Sequence, residues 1–153
     1  MFKHILVPTD FEEHASRAFD SAVELARTFD ARITLLHVYQ VPLSIYANDL
    51  AWPTEQLATA AKEALQNHLE QARARYPRCE SMLEIGGAGE QIVSVADKHG
   101  VDLIVMATHG RRGITRALLG SVSEKVVRLA SVPVLTISMR PEAEAHAHKS
   151  PAP

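Results

Sequence analysis

The segment with the most chemistry to offer runs from Thr108 to Val127, THGRRGITRALLGSVSEKVV. Gly110 and Gly113 admit positive φ and let a ligand approach the backbone closely. Arg111 and Arg112 put two cations between them. Gly120 and Ser121 then open a helical pattern, and Ser121-x-x-Glu124 has the form of a capping box. Free N–H groups at a helix N-terminus, beside glycines and arginines, make a cradle for phosphate. The same residues also describe a solvated arginine pair and an ordinary cap, and spacing leaves both readings open. Other anion motifs fail. There is no Gly-Lys-Ser/Thr, hence no Walker loop, and Gly87-x-Gly89-x-x-Ile92 lacks the third glycine of a dinucleotide fingerprint. A Gly-x-Ser-x-Gly elbow and a His-Glu-x-x-His pair are also missing.

Such a loop needs a scaffold, and the chain alternates two periods. His4–Val7, Ile33–Val38, Glu80–Ile85, Asp102–Ala107 and Val132–Ile137 read as strands, short and mostly apolar. Between the first two, Ala15, Ala18, Phe19, Ala22, Leu25, Ala26 and Phe29 recur at helical steps. A loop at Tyr39–Trp52 leads to Pro53, which suits the first turn of a helix carrying Leu57, Ala61, Leu65, Leu69 and Ala72 and ending near Pro77. Gly86 to Gly89 turn into a helix with Ile92, Val93 and Ala96 and Gly100 at its C-terminus. Ser121–Ala130 is the fourth helix. The order βαβαβαβαβ predicts an α/β fold: one domain with an open, parallel, five-stranded, Rossmann-like sheet and helices on both faces. Pro133 lacks a donor and places the last strand at an edge or puts the proline at its start. Ligands of such sheets bind beyond the C-terminal strand ends, so the residues to watch are Pro8-Thr9-Asp10, Tyr39-Gln40, the glycine cluster Gly86-Gly87-Ala88-Gly89 and the loop from Thr108 to Gly113.

Composition narrows the function classes. The 153 residues suit one domain. Sixteen basic against 18 acidic residues, net −2, argue against a nucleic-acid binder or a polybasic membrane-surface protein. No apolar run approaches the ~18 residues of a membrane span, and the N-terminus has no signal-peptide core. One cysteine, Cys79, excludes a disulfide framework. The expectation is a cytoplasmic protein of a reducing compartment.

Taken together, PTDF after the first strand, HV ending the second, DLIVMATHG on the fourth, LLGSVSEKV at the last helix and the closing VPVLTI resemble a universal stress protein of the ATP-binding subgroup. The resemblance spans about residues 1–140, and 141–153 reads as a disordered tail. The family's phosphate signature, Gly-x-x-Gly, nine residues, Gly-Ser/Thr, stands here as Ala107-x-x-Gly110, Arg111–Leu119, Gly120-Ser121. Ala107 replaces the first glycine, and a left-handed backbone there would cost roughly 1–2 kcal/mol.

The resemblance implies that the chain binds an adenine nucleotide, with ATP ahead of ADP or AMP, in a regulatory stress-response role. Pro8 and Thr9 would line the adenine side. Asp10 would accept from ribose hydroxyls or orient a Mg ion carried by the nucleotide. Val38 would meet adenine through its backbone and Ala107 would sit at the ribose. His109, Gly110, Gly120, Ser121, Val122 and Ser123 would hold the phosphates, and Arg111 and Arg112 join them on grounds of charge. The resemblance also implies a homodimer through the fifth strand, whose apolar edge is a pairing liability. Two other classes stay open. One is a slow ATPase or phosphoryl-transfer enzyme, against which a single nearby carboxylate and the missing P-loop lysine weigh. The other is a nucleotide-free dimeric module acting on a protein partner. Asp10 has a bland role as well: with Glu13 it could cap the first helix. His37 reads as a packed or hydrogen-bonded strand residue, His146-x-His148 as solvated tail, and Cys79 as inert.

Overall fold

Side chains in the central strands alternate between two apolar layers, and that alternation fixes a sheet covered on both faces. In the computed structural model, β1 (His4–Pro8), β2 (Arg32–Tyr39), β3 (Cys79–Ile85), β4 (Leu103–Ala107) and β5 (Val134–Ile137) form one parallel sheet in the order β3-β2-β1-β4-β5. The structure describes residues 1–42, 51–108 and 119–138. Ile5, Val7, Ile33, Leu35, Leu103 and Val105 face α1 (Glu13–Phe29) and α2 (Ala51–Arg75). Leu6, Leu36, Ile104 and Met106 face α3 (Ala88–Lys98) and α4 (Ser121–Leu129). Most of these are fully buried, each contributing about 1.5–3 kcal/mol of transfer free energy. No helix among the described residues is long and apolar enough to cross a membrane.

The α/β architecture expected from the alternating periods is the one observed. Pro53 falls in the first turn of α2, where its missing N–H leaves no helical bond unmade. Pro133 immediately precedes the edge strand β5 and offers its carbonyl to the Ile104 N–H at 3.0 Å. β4 begins at Leu103 rather than Asp102, because the Asp102 carboxylate accepts from the backbone of Lys3 at 2.8 Å and of His4. The loop predicted at Tyr39–Trp52 and the tail 141–153 fall mostly or wholly outside the described residues. Cys79 is buried, and burial pushes its thiol up to about 11, so it stays protonated at neutral pH.

Neither the capping box expected at Ser121 nor the alternative one at Asp10 is formed. Glu12, not Asp10, is the N-cap of α1 and makes no side-chain cap, while the Asp10 Oδ1 accepts from the Glu12 N–H at 3.0 Å in a local turn. Gly120, not Ser121, is the N-cap of α4. Its carbonyl accepts from the Glu124 N–H at 2.9 Å, so Ser121 is already the first helical residue.

At the opposite end of the sheet from the strand termini, His4 is buried in a polar network. Thr34 Oγ1 donates to Glu80 Oε1 at 2.8 Å, so the His4 Nε2–H donates to Thr34 at 2.7 Å. Nδ1 lies 3.1 Å from the Arg32 guanidinium, from which the neutral ring accepts, and 3.2 Å from His99 O, to which the charged ring would donate. Burial, seconded by Arg32, holds this imidazole below the ordinary histidine range. The neutral form belongs to the folded state, and the unfolded chain takes up the proton first. Stability from His4 is therefore complete above about pH 6.5 and is lost as pH falls through the depressed folded value. His4→Gln should flatten the drop in urea midpoint between pH 7 and pH 5. An identical drop in wild type and variant would show that His4 does not carry it.

Candidate functional site

The strand order reverses across β1 and β4, whose outer neighbours β2 and β5 run away in opposite directions. Helices leaving β1 and β4 pass to opposite faces there, which opens a crevice beyond the strand ends. The crevice is a cleft open to solvent, with a cavity volume of about 150 Å³. Its floor is apolar: Leu36 from β2, Met106 from β4, Ala15 from α1 and Ile92 from α3. Pro8, Thr9 and Asp10 form one wall, Val38 and Ala88 another, and Ala107, Val122 and Ser123 a third.

Hydrogen bonds hold each wall in place. The Thr9 N–H donates to Leu36 O at 2.8 Å, and Thr9 Oγ1 accepts from the Phe11 N–H at 3.1 Å. Phe11 has φ 67°, the left-handed region a bulky residue rarely takes, and its ring packs on that of His37 with centroids 4.4 Å apart. Across the cleft, the Gly120 N–H donates to Thr108 O at 2.7 Å, and the Ser123 hydroxyl contacts Ala107 O at 2.8 Å and Thr108 O at 3.0 Å. The start of α4 is thereby pinned to the end of β4. No side chain caps it, so the N–H groups of Ser121, Val122 and Ser123 begin the helix with the positive end of its dipole. Ser121 and Val122 are exposed, whereas Ser123 is buried with its hydroxyl proton committed to carbonyls. A phosphate could draw only the backbone N–H from Ser123.

Seven of the expected residues, Pro8, Thr9, Asp10, Val38, Ala107, Val122 and Ser123, come together around this cleft. Gly120 and Ser121 sit at the adjoining helix start. Ala107 lies in regular β4 backbone opposite Ile137 and has no positive φ, so its methyl group carries no strain. His109, Gly110, Arg111 and Arg112 lie outside the described residues. The sequence reading placed Ala88 in the glycine cluster after the third strand without naming it a binding residue, did not name Ile92 as one, and left His37 as a packed strand residue. A clue was available for Ala88, since it directly follows the glycine turn at the C-terminal end of β3.

α3 reaches the cleft because Gly89 lets it approach α4. A β-carbon on Gly89 would stand 2.7 Å from the Cδ of Lys125, and Lys125 also pairs with Glu90. Among the described residues, no three His, Cys, Asp or Glu side chains gather as a metal site. Asp10 alone gives the cleft lining a carboxylate, and within the described residues no group bonds its Oδ2.

A parallel sheet in this order, with an apolar crevice at its reversal point and an uncapped helix start beside it, defines a Rossmann-like α/β domain. The universal stress protein family model matches residues 1–138, and the chain belongs to that family. Universal stress protein MJ0531 of Methanocaldococcus jannaschii is 33% identical over 140 residues, covering 90% of this chain and 82% of its own. The solved structure of MJ0577 from the same organism superposes with a TM-score of 0.79 at 29% identity, covering 93% of this chain and 99% of that one. A universal stress protein in complex with cAMP superposes with a TM-score of 0.66 at 25% identity, covering 90% and 97%.

Proposed function

We propose that this protein binds an adenine nucleotide, ATP foremost, and works as a regulatory stress protein through the bound state. The observation that carries the reading is the pairing of an apolar cleft with an uncapped helix N-terminus at its rim. A flat base suits the apolar floor, and anionic phosphates suit the N–H groups of Ser121, Val122 and Ser123. The cAMP complex of a relative supports an adenine ligand in this fold. Asp10 is placed to accept from sugar hydroxyls, and would meet Mg only as part of a nucleotide complex. Gly110, His109, Arg111 and Arg112 complete the phosphate side in this reading. Regulation is favoured over catalysis because the described cleft lining supplies one carboxylate and no lysine. Mass spectrometry of the ligand released by heat, with titrations of ATP, ADP, AMP and cyclic AMP, tests the proposal. Absence of any adenine nucleotide in both measurements would overturn it.

We further propose a homodimer through β5. The edge strand exposes Leu135, and α4 exposes Val127 and Leu129 at 46% and 52%. An open apolar edge of this kind invites pairing with a second copy. Sedimentation should give twice the 16.8 kDa of one chain, and Leu135→Asp should shift it toward the monomer. A wild-type protein that sediments as a monomer at micromolar concentration would refute the dimer.

A further inference from the structure

We infer that His37 is a positioning residue for the ligand: its single bond to Thr9 O fixes the peptide that carries Asp10. This rests on the nucleotide reading above, and it adds a residue which that reading does not use. His37 directly follows the buried run of β2, lines the cleft, and places Nδ1 2.8 Å from the Thr9 carbonyl oxygen. A carbonyl only accepts, so Nδ1 carries the proton and donates.

The Thr9 carbonyl belongs to the peptide plane that leads into Asp10. Holding that oxygen sets the direction in which the Asp10 Cα leaves the sheet. The bonds around it finish the task. Thr9 N–H is held by Leu36 O, Thr9 Oγ1 holds the Phe11 N–H, and Asp10 Oδ1 holds the Glu12 N–H. Asp10 Oδ1 is thus spent on the turn, and Oδ2 is the oxygen left to meet a ligand.

The imidazole is itself held in orientation. Phe11 lies against its face with an interplanar angle of 38°, and the Phe11 ring also meets His68 on α2, at 5.5 Å, and packs against the core. Phe11 reaches this position only through its left-handed backbone, at φ 67°. Strain of this kind persists where surrounding contacts over-determine it. The sequence Thr9-Asp10-Phe11 is therefore clamped from β2 at three points, the N–H of Thr9 by Leu36, and the carbonyl of Thr9 and the ring of Phe11 by His37.

Two amides separate the role of Nδ1 from that of the ring as a whole. The side-chain N–H of asparagine can occupy the place of Nδ1, whereas glutamine reaches only toward Nε2. Hydrogen exchange of the Glu12 N–H in ligand-free protein reports whether the Asp10 turn is closed. Protection should survive in His37→Asn and fall in His37→Gln. ATP affinity should follow, with His37→Gln roughly tenfold weaker and His37→Asn within about threefold of wild type. In a double-mutant cycle, Asp10→Asn with His37→Gln should bind ATP no more weakly than Asp10→Asn alone, because both changes act on one contact. Equal exchange and equal affinity in the Asn and Gln variants would overturn the inference, as would additive losses in the cycle. If wild type binds no nucleotide, the nucleotide reading and the affinity arm fall together. Exchange at Glu12 still decides whether His37 holds the loop.

Discussion

Gly120→Val is expected to weaken ATP binding tenfold or more, about 1.4 kcal/mol, while leaving adenosine nearly untouched. Gly120 has φ −61° and ψ 158°, an extended conformation open to valine, so the substitution does not strain the backbone. Its N–H bond to Thr108 O and its carbonyl bond to Glu124 need no glycine. What changes is bulk: a branched side chain stands where an anion must approach the N–H groups of Ser121 and Val122. Adenosine has no phosphates and does not go there. Calorimetric titration of both ligands, on protein shown by circular dichroism to be folded, makes the comparison. Undiminished ATP affinity in the folded variant would remove the phosphates from α4. Ser121→Ala should cost little stability, because Ser121 is the first residue of the helix and not the N-cap it was expected to be.

Ala88→Phe is expected to act on the other half of the ligand. Ala88 is the first residue of α3, half-buried, and forms part of the cleft wall opposite α4. A phenyl ring there would occupy the apolar volume that the base needs. ATP and adenosine should both lose about tenfold or more, in contrast to the Gly120 variant. The helix tolerates the change, since phenylalanine differs from alanine by no more than about 0.7 kcal/mol in helix propensity. Unaltered adenosine binding would show that the base does not rest against α3.

The parts of the fold that were legible are those where one physical signal dominates. β1, β2 and β4 are buried on both faces, so HILV, ITLLHV and LIVMA stand out as apolar runs between polar or turn-forming neighbours. α1 shows its stripe because Ala15, Ala18, Phe19, Ala22 and Ala26 all face one core. The caps were misread because a Ser or Asp three residues before a Glu fixes a pattern and not a frame. At α4, the bonds from Gly120 and Ser123 to the end of β4 set that frame, and they join residues far apart in sequence. Asp10 lost its cap role to a turn that left-handed Phe11 makes possible, and nothing in the letters FEE announces a positive φ. Thr9 and Asp10 were found because they directly follow a strand, whereas Ser123 was named through the family resemblance and His37, inside a strand, was read as packing. The apolar floor, Leu36, Met106 and Ile92, was not found, since a residue lining a ligand cleft and one lining a core have the same chemistry.

The junction between β1 and β4 has a consequence for the order in which the chain assembles. β1 pairs with β2 along its full length, from His4–Arg32 to Pro8–Leu36, but meets β4 only at Ile5–Leu103 and Leu6–Ile104. The first pairing closes a short stretch of chain and the second joins residues nearly a hundred positions apart, so entropy favours the β1-β2-β3 half forming first. The cleft lies across this seam, with Thr9 and Val38 on the early half and Ala107 and Val122 on the late one. A molecule lodged there fastens together two halves of different age. Its effect on lifetime should therefore exceed what its contacts to either half supply, because the pairing it bridges is the one with the longest stretch of chain to close.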